Sequence, residues 1–195
     1  FIFSSVLKLT AQNLVETLTS TRSQIILNGQ WKFQPIANDT ASINENAWGK
    51  IWVPGIWGGI TGNKVPGIAV KNKTWPADVA GINKAWYQTS FVAPQNWMNK
   101  AVEITFSKIS TDAIIIVNGQ KAGTINWYSG SISIGNYVKY GQLNTLQVLV
   151  IATANQNEVP VLMGTAVSQV SFKKVALATK GITGDVIISA RPRGV

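Results

Sequence analysis

The 195-residue chain contains no cysteine and no histidine. Without cysteine it has neither disulfides nor thiolate metal sites. Without histidine it lacks the commonest metal ligand and the usual general base near neutral pH, which excludes Ser-His-Asp and Cys-His nucleophile schemes. Carboxylates are scarce too: Glu16, Asp39, Glu45, Asp78, Glu103, Asp112, Glu158 and Asp185 are the full set. No apolar run reaches the roughly 18 residues that a membrane span needs, so no membrane span is expected. Charged residues make up only 13% of the chain while 46% is hydrophobic. That balance argues against disorder over most of the length.

What is present starts with an excess of positive charge, +9 from 17 Lys and Arg. Nucleic-acid binders gather such residues on one face or segment. Here they are scattered, with Lys173-Lys174 and Arg191-Pro192-Arg193 the nearest approach to clusters. A solvated basic surface is the expectation, with no nucleic-acid partner. Anionic sugars such as uronic acids also suit a basic domain, but charge alone does not select them.

The chain is long enough for one sizeable domain, read as residues 24–192, preceded by an arm or short helix over 1–23. Leu7, Ala11, Leu14 and Leu18 fall on one helical face within residues 4–19, and an extended arm fits the same segment. The first residues resemble the clipped end of a signal peptide, with Leu9-Thr10-Ala11 as a cleavage site, although Lys8 interrupts the apolar stretch. With sequons at Asn38-Asp39-Thr40 and Asn72-Lys73-Thr74, a secreted or periplasmic location is expected.

Beyond Arg22 the pattern is that of strands. Ile25-Ile26-Leu27 leads through Asn28-Gly29, a turn signal, into Trp31-Lys32-Phe33. Residues 37–84 are rich in Gly, Asn, Pro and Trp and read as long loops with short strands. Trp86 to Val92 is a strand, closed by Pro94. Val102, Ile104 and Phe106 alternate with Ala101, Glu103 and Thr105, as in a sheet with one wet face. Ala113 to Val117 is an apolar run fit for a buried strand, and Asn118-Gly119 turns it back into Gln120–Ile125. Further strands are expected at Ser131–Ile134, Thr145–Ile151, Val167–Leu177 and Val186–Ala190. Short strands divided by turns, with no recurring helices between them, predict an all-β antiparallel β-sandwich or jelly roll.

Five segments resemble, in order, the N-terminal sugar-binding domain of glycoside hydrolase family 2, the family of β-galactosidases, β-glucuronidases and β-mannosidases. Leu27-Asn-Gly-Gln-Trp31-Lys-Phe33 is similar to the opening strand. Val53-Pro-Gly-Ile-Trp57 is similar to the family's VPG-x-W turn, and Ala85-Trp-Tyr-Gln-Thr-Ser-Phe91 with Pro94 and Trp97 to its WY strand. Ala113 to Gly123, around Val117-Asn-Gly119, and Gly181-Ile-Thr-Gly-Asp-Val186 resemble the hairpin and the closing segment. Any one of these is weak, but together they cover roughly residues 25–190. The resemblance implies a galactose-binding-domain-like jelly roll. It also implies that an immunoglobulin-like domain and a catalytic barrel follow in the parent protein, with both catalytic glutamates in the barrel. This chain ends at Val195, so on that reading it is a piece of a longer glycosidase whose remaining domains are its partners.

No catalytic residue is expected in the chain itself. Retaining glycosidases need two carboxyls about 5–5.5 Å apart, and Asn44-Glu45-Asn46, the closest match to the family's Asn-Glu motif, stands in a polar loop. The resemblance points instead to substrate-binding residues. In the family's galactosidases an Asn in a loop resembling Asn72-Lys-Thr-Trp-Pro76, and the Asp of the closing segment, here Asp185, reach into the barrel's sugar pocket. The alternative for Asp185 is a structural role in a Gly-rich turn, and a glycosylated Asn72 would not enter a pocket. Gly184 departs from the family, where Arg is usual. Of the eight tryptophans, Trp31 and Trp86 are expected in the core, whereas Trp52, Trp57, Trp75 and Trp127 fall in or beside loops. Aromatic faces stack on pyranose rings, which makes Trp75 and Trp127 the candidate platforms; packing against the sheet or a neighbouring domain is the alternative. No metal or cofactor is expected.

Three functions fit. The first is a non-catalytic carbohydrate-binding and scaffolding domain of a family 2 glycosidase, most similar to β-galactosidases or β-glucuronidases. The others are a free-standing carbohydrate-binding module and a purely structural interaction sandwich.

Overall fold

The computed structural model describes residues 23–37, 42–58, 67–152, 159–162, 170–173 and 179–193. The helix considered at 4–19, the signal-peptide remnant and the Asn38 sequon lie outside the described residues, as does much of the strand expected at Val167–Leu177. No helix among the described residues is long and apolar enough to cross a membrane.

In chain order the strands are β1 (Ser23–Ile26), β2 (Gly29–Ile36), β3 (Gly49–Val53), β4 (Ile68–Val70), β5 (Lys84–Val92), β6 (Ala101–Phe106), β7 (Ile109–Ser110) and β8 (Asp112–Val117). They continue as β9 (Gln120–Ile125), β10 (Gly130–Ser133), β11 (Leu143–Ile151), β12 (Val159–Leu162), β13 (Val170–Lys173), β14 (Gly181–Ile182) and β15 (Val186–Arg191). A seven-stranded antiparallel sheet has the order β4-β3-β2-β5-β11-β8-β9, and a four-stranded one the order β1-β15-β6-β10. Two small pairs, β12-β13 and β14-β7, complete the pattern. The chain is an all-β antiparallel sandwich.

Alternation along each strand builds one core between the two large sheets. Phe33, Tyr87, Ile115 and Val148 from the seven-stranded sheet and Ile25, Ile104, Phe106 and Ile188 from the four-stranded sheet belong to a single buried cluster. The aromatic centre is Phe33, whose ring lies edge-on to Tyr87 (5.1 Å between centroids) and Trp75 (5.3 Å), with Trp57 tilted at 5.6 Å. Burying each large apolar side chain contributes about 1.5–3 kcal/mol.

Two local expectations are refined by this topology. Asn118-Gly119 is a hairpin between β8 and β9, both residues at positive φ (51° and 78°) as a type I′ turn demands. Asn28-Gly29 instead carries the chain from β1 in one sheet to β2 in the other. The second adjustment concerns 113–117. This strand is not buried on both faces: Ala113, Ile115 and Val117 point into the core, while Ile114 and Ile116 are half-buried on the outer side of the sheet. Trp86 is buried on that same outer side, paired in register with Leu149 rather than joined to the central cluster.

Candidate functional site

Segments far apart in sequence meet at one end of the sandwich. The Leu27 N–H donates to the Val186 carbonyl at 2.8 Å, and the Trp31 indole Nε1–H donates back to the Leu27 carbonyl at 2.7 Å. Between them the Asn28 amide bridges to the closing segment, donating through Nδ2 to Asp185 Oδ1 (2.8 Å) and accepting from the Val186 N–H (3.2 Å). The Val-Pro-Gly turn docks alongside: the Gly55 N–H donates to the Ile182 carbonyl (2.8 Å) and the Trp57 N–H to the Lys180 carbonyl (2.9 Å). Gly181 has φ +137°, and a Cβ there would stand 2.5 Å from the Gly55 carbonyl oxygen. Only glycine permits so close a crossing of two backbones. Lys180 anchors the approach by donating from Nζ to the carbonyls of Ala80 (2.8 Å) and Ile82 (2.9 Å) and to Asn83 Oδ1 (2.9 Å). Partial burial lowers its pKa from the ordinary lysine value, and nearby Asp78 works the other way.

Asp185 is exposed at this end. Its backbone carbonyl accepts from the Ser107 N–H (2.9 Å), and the N–H groups of Thr183 and Gly184 donate to the Lys108 carbonyl (2.9 and 3.0 Å). The same connector holds the second exposed group, because the Ile109 N–H donates to the Tyr128 carbonyl at 2.6 Å. Trp127 and Tyr128 follow β9 with positive φ, 64° and 46°. Left-handed backbone costs a non-glycine residue roughly 1–2 kcal/mol, and here hydrogen bonds hold it. The Trp127 N–H donates to Asp112 Oδ1 (3.0 Å), and the Tyr128 N–H to the Thr111 carbonyl (2.9 Å). The outcome is a pair of half-exposed rings, 54% and 52%, set edge-to-face with centroids 6.3 Å apart.

The other two candidates lie elsewhere and are engaged in holding the fold. β2 pairs with β3 from Gly29↔Val53 to Phe33↔Gly49, so the loop carrying Asn72 and Trp75 packs about 13 Å along the strand from Gly29. Asn72 donates from Nδ2 to the carbonyls of Asn46 (2.9 Å) and Trp48 (3.0 Å), and its Oδ1 accepts from the N–H (2.9 Å) and hydroxyl (2.8 Å) of Thr74. Its amide has two donors and two acceptor lone pairs, all used, so neither a sugar nor a glycan link is accommodated without breaking that staple. Trp75 is a correction of the same kind. Read as a loop tryptophan open for stacking, it is only 9% exposed, edge-on to Phe33, with its indole Nε1–H donating to the Ala47 carbonyl at 2.6 Å. Trp57 is likewise buried, whereas Trp52 lies within β3 and is 50% exposed. Glu45 opens a short 3-10 helix capped by Asn44, and its Oε2 accepts from the Trp48 indole at 3.1 Å.

The structure thus brings Asp185 and Trp127 to one end and leaves Asn72 and Trp75 in the packing of the loops. Asn28 and Tyr128 join the site although the sequence did not single them out. Asn28 carried only a turn signal, its partner lying 157 residues away. For Tyr128 the available signal was adjacency to Trp127.

No protein-family model matches the sequence, and no curated protein matches it. The fold does match solved structures. Ruminococcus gnavus β-glucuronidase superposes with a TM-score of 0.68 at 18% identity, over 92% of this chain and 30% of that one. The same enzyme in complex with D-glucuronic acid gives 0.65 at 19% identity over 92% and 31%. The β-D-glucuronidase of Dictyoglomus thermophilum gives 0.63 at 19% identity over 91% and 29%. The chain spans about a third of the length of these enzymes, and over that span it shares their fold.

Proposed function

We propose that this chain is the non-catalytic N-terminal sandwich of a family 2 glycoside hydrolase acting on β-glucuronides or β-galactosides. The observation that carries the proposal is convergence. The Asn28 crossover, the Val53–Trp57 turn and the Gly181–Val186 segment, each resembling a family motif, are hydrogen-bonded to one another at one end of a fold shared with β-glucuronidases. Asp185 is the residue offered to a sugar. Its exposed carboxylate accepts paired hydrogen bonds from adjacent hydroxyls, and Asn28 fixes its direction. The barrel that supplies the acid/base and nucleophile belongs to the remaining domains of the parent protein, which dock on this end.

A direct test is the native protein's full length and its turnover of nitrophenyl β-glucuronide and β-galactoside. A barrel following Val195, with Asp185→Ala lowering kcat/KM for one substrate, supports the proposal. A native chain that ends with the sandwich and turns over neither substrate rejects it.

The exposed Trp127–Tyr128 pair favours a second reading, a carbohydrate-binding module in its own right. Calorimetry of the 195-residue chain against galactose, glucuronic acid, mannose and short oligosaccharides separates the two. Micromolar binding lost in Trp127→Ala marks an independent module; millimolar or absent binding marks a domain whose pocket is completed by its barrel.

A further inference from the structure

The outer face of the seven-stranded sheet carries a second arrangement, separate from the Asp185 end. Lys32 on β2 and Lys50 on β3 stand directly opposite each other, and both are exposed. Like charges in facing positions destabilise a sheet. Lysines often guard sheet edges, but β2 is third from the edge. The outward-facing positions of β2, β3, β5 and β11 hold no Asp or Glu, and neither lysine has a carboxylate partner among the described residues. The Lys32 ammonium lies 5.7 Å from the centroid of the Trp48 ring; the nearest acid on that side, Glu45, is taken up by the Trp48 indole Nε1–H at 3.1 Å and forms no ion pair with either lysine.

The neighbours of this pair are suited to hydroxyl-rich ligands. In register with Lys32 comes Gln88 and then Gln147, the two amides joined by a hydrogen bond from Gln147 Nε2 to Gln88 Oε1 at 3.0 Å. Two residues beyond Lys50 on the same face is Trp52, half of its surface open to solvent. The row Gln147–Gln88–Lys32–Lys50 therefore crosses four neighbouring strands, roughly 4.8 Å apart. It offers amides, then two cations, with an indole face beside them.

We propose that this face binds a linear polyuronate, a chain of uronic-acid sugars laid across the strands. Sugar carboxylates neutralise Lys32 and Lys50, hydroxyls bond to the glutamine amides, and a pyranose C–H face covers Trp52. Single-stranded nucleic acid is the competing polyanion. It is held by successive stacking rings along a basic groove, and this row carries one exposed indole among amides.

The site does not depend on Asp185 entering an active site. Its test uses the 195-residue chain, titrated calorimetrically with hexameric oligogalacturonide, the matching neutral 1,4-linked galactose hexamer and oligo-dT of similar charge. Wild type prefers the oligogalacturonide to both others. The double variant Lys32→Gln/Lys50→Gln weakens that binding about tenfold, and Trp52→Ala weakens it further. Unfolding midpoints at or above wild type for the double variant show that the loss is not a folding defect, because the substitution removes a repulsion. The proposal is overturned by any of three results: no binding of oligogalacturonide, undiminished binding by the double variant, or oligo-dT binding as tightly.

Discussion

Asn28 and Asp185 are 157 residues apart in the chain, yet Asn28 Nδ2 lies 2.8 Å from Asp185 Oδ1 while Asn28 Oδ1 takes the Val186 N–H at 3.2 Å. One amide thus closes the first crossover of the sandwich onto β15 and orients the exposed Asp185 carboxylate. Truncation to Asn28→Ala leaves the partly buried Val186 N–H without its acceptor. The expected cost is about 1–2 kcal/mol, read as a lowered urea midpoint with an unchanged slope. Asn28→Asp keeps the acceptor for Val186 but sets a carboxylate against Asp185, so in the same urea titration at neutral pH it is expected to be no better than alanine.

The two tryptophans singled out for stacking separate by burial. Trp75→Ala removes a core ring packed on Phe33 and the partner of the Ala47 carbonyl, which costs about 3–5 kcal/mol. Trp127→Gly removes a half-exposed ring at φ 64°. Glycine accepts that backbone without strain, so stability stays level or rises by up to about 1 kcal/mol. Thermal melts of the two variants side by side decide the matter: a Trp127 variant as damaged as the Trp75 variant contradicts the exposed placement of the Trp127 ring.

How far the sequence reached follows from the range of the interactions involved. The strands were legible because alternation is a nearest-neighbour property: Val102, Ile104 and Phe106 are buried on β6 while Ala101, Glu103 and Thr105 are not. The Asn118-Gly119 hairpin was legible for the same reason. Which sheet a strand joins was not, since Asn28-Gly29 carries the same turn signal as Asn118-Gly119 and does different work. Burial of loop residues was equally hidden. Trp75 and Trp127 both sit outside strands, and what distinguishes them is a carbonyl at Ala47 and a ring at Phe33, groups 28 and 42 positions away from Trp75. Of the site, Asp185 and Trp127 were named from motif and composition, whereas the lysine pair on β2 and β3 emerged only with the register.

Gly184 stands where the resembling family has Arg, and the structure gives the local reason. A Cβ at 184 would lie 2.5 Å from the Lys108 backbone nitrogen and 2.9 Å from the Lys108 Cβ. Those atoms belong to a segment held by two hydrogen bonds from Thr183 and Gly184 to the Lys108 carbonyl, so they do not move aside cheaply. Gly184→Ala and Gly184→Arg are both expected to destabilise by about 1–3 kcal/mol. Restoring the family residue is thus expected to harm this chain, which equilibrium unfolding checks directly; an arginine variant as stable as wild type would show that the 107–109 connector yields.

Tyr87 gives the chain a signature at high pH. Its hydroxyl is fully buried beneath the Gly55–Gly181 crossing and makes no hydrogen bond of good geometry. Burial pushes its pKa far above the ordinary tyrosine value, and the Ile182 backbone beside it draws it only part of the way back. In the unfolded chain the same phenol ionises at about pH 10. Above that pH the unfolded state has released a proton that the folded state retains, so stability falls as pH rises, by about 1.4 kcal/mol per pH unit. Lys180 acts in the opposite sense: its lowered pKa means that stability rises through the window between that value and the unfolded lysine's, but partial exposure keeps the effect small. The net expectation is a loss of stability beginning near pH 10. Tyr87→Phe removes a buried hydroxyl with no well-formed partner, so at pH 7 it is expected to change stability by less than about 1 kcal/mol. Urea unfolding of wild type and Tyr87→Phe between pH 8 and 11 should show the two curves separating above pH 10, with the phenylalanine variant the more stable. Parallel curves over that range would mean that the phenol ionises as readily in the folded protein as in the unfolded chain, and that its burial is relieved by local opening.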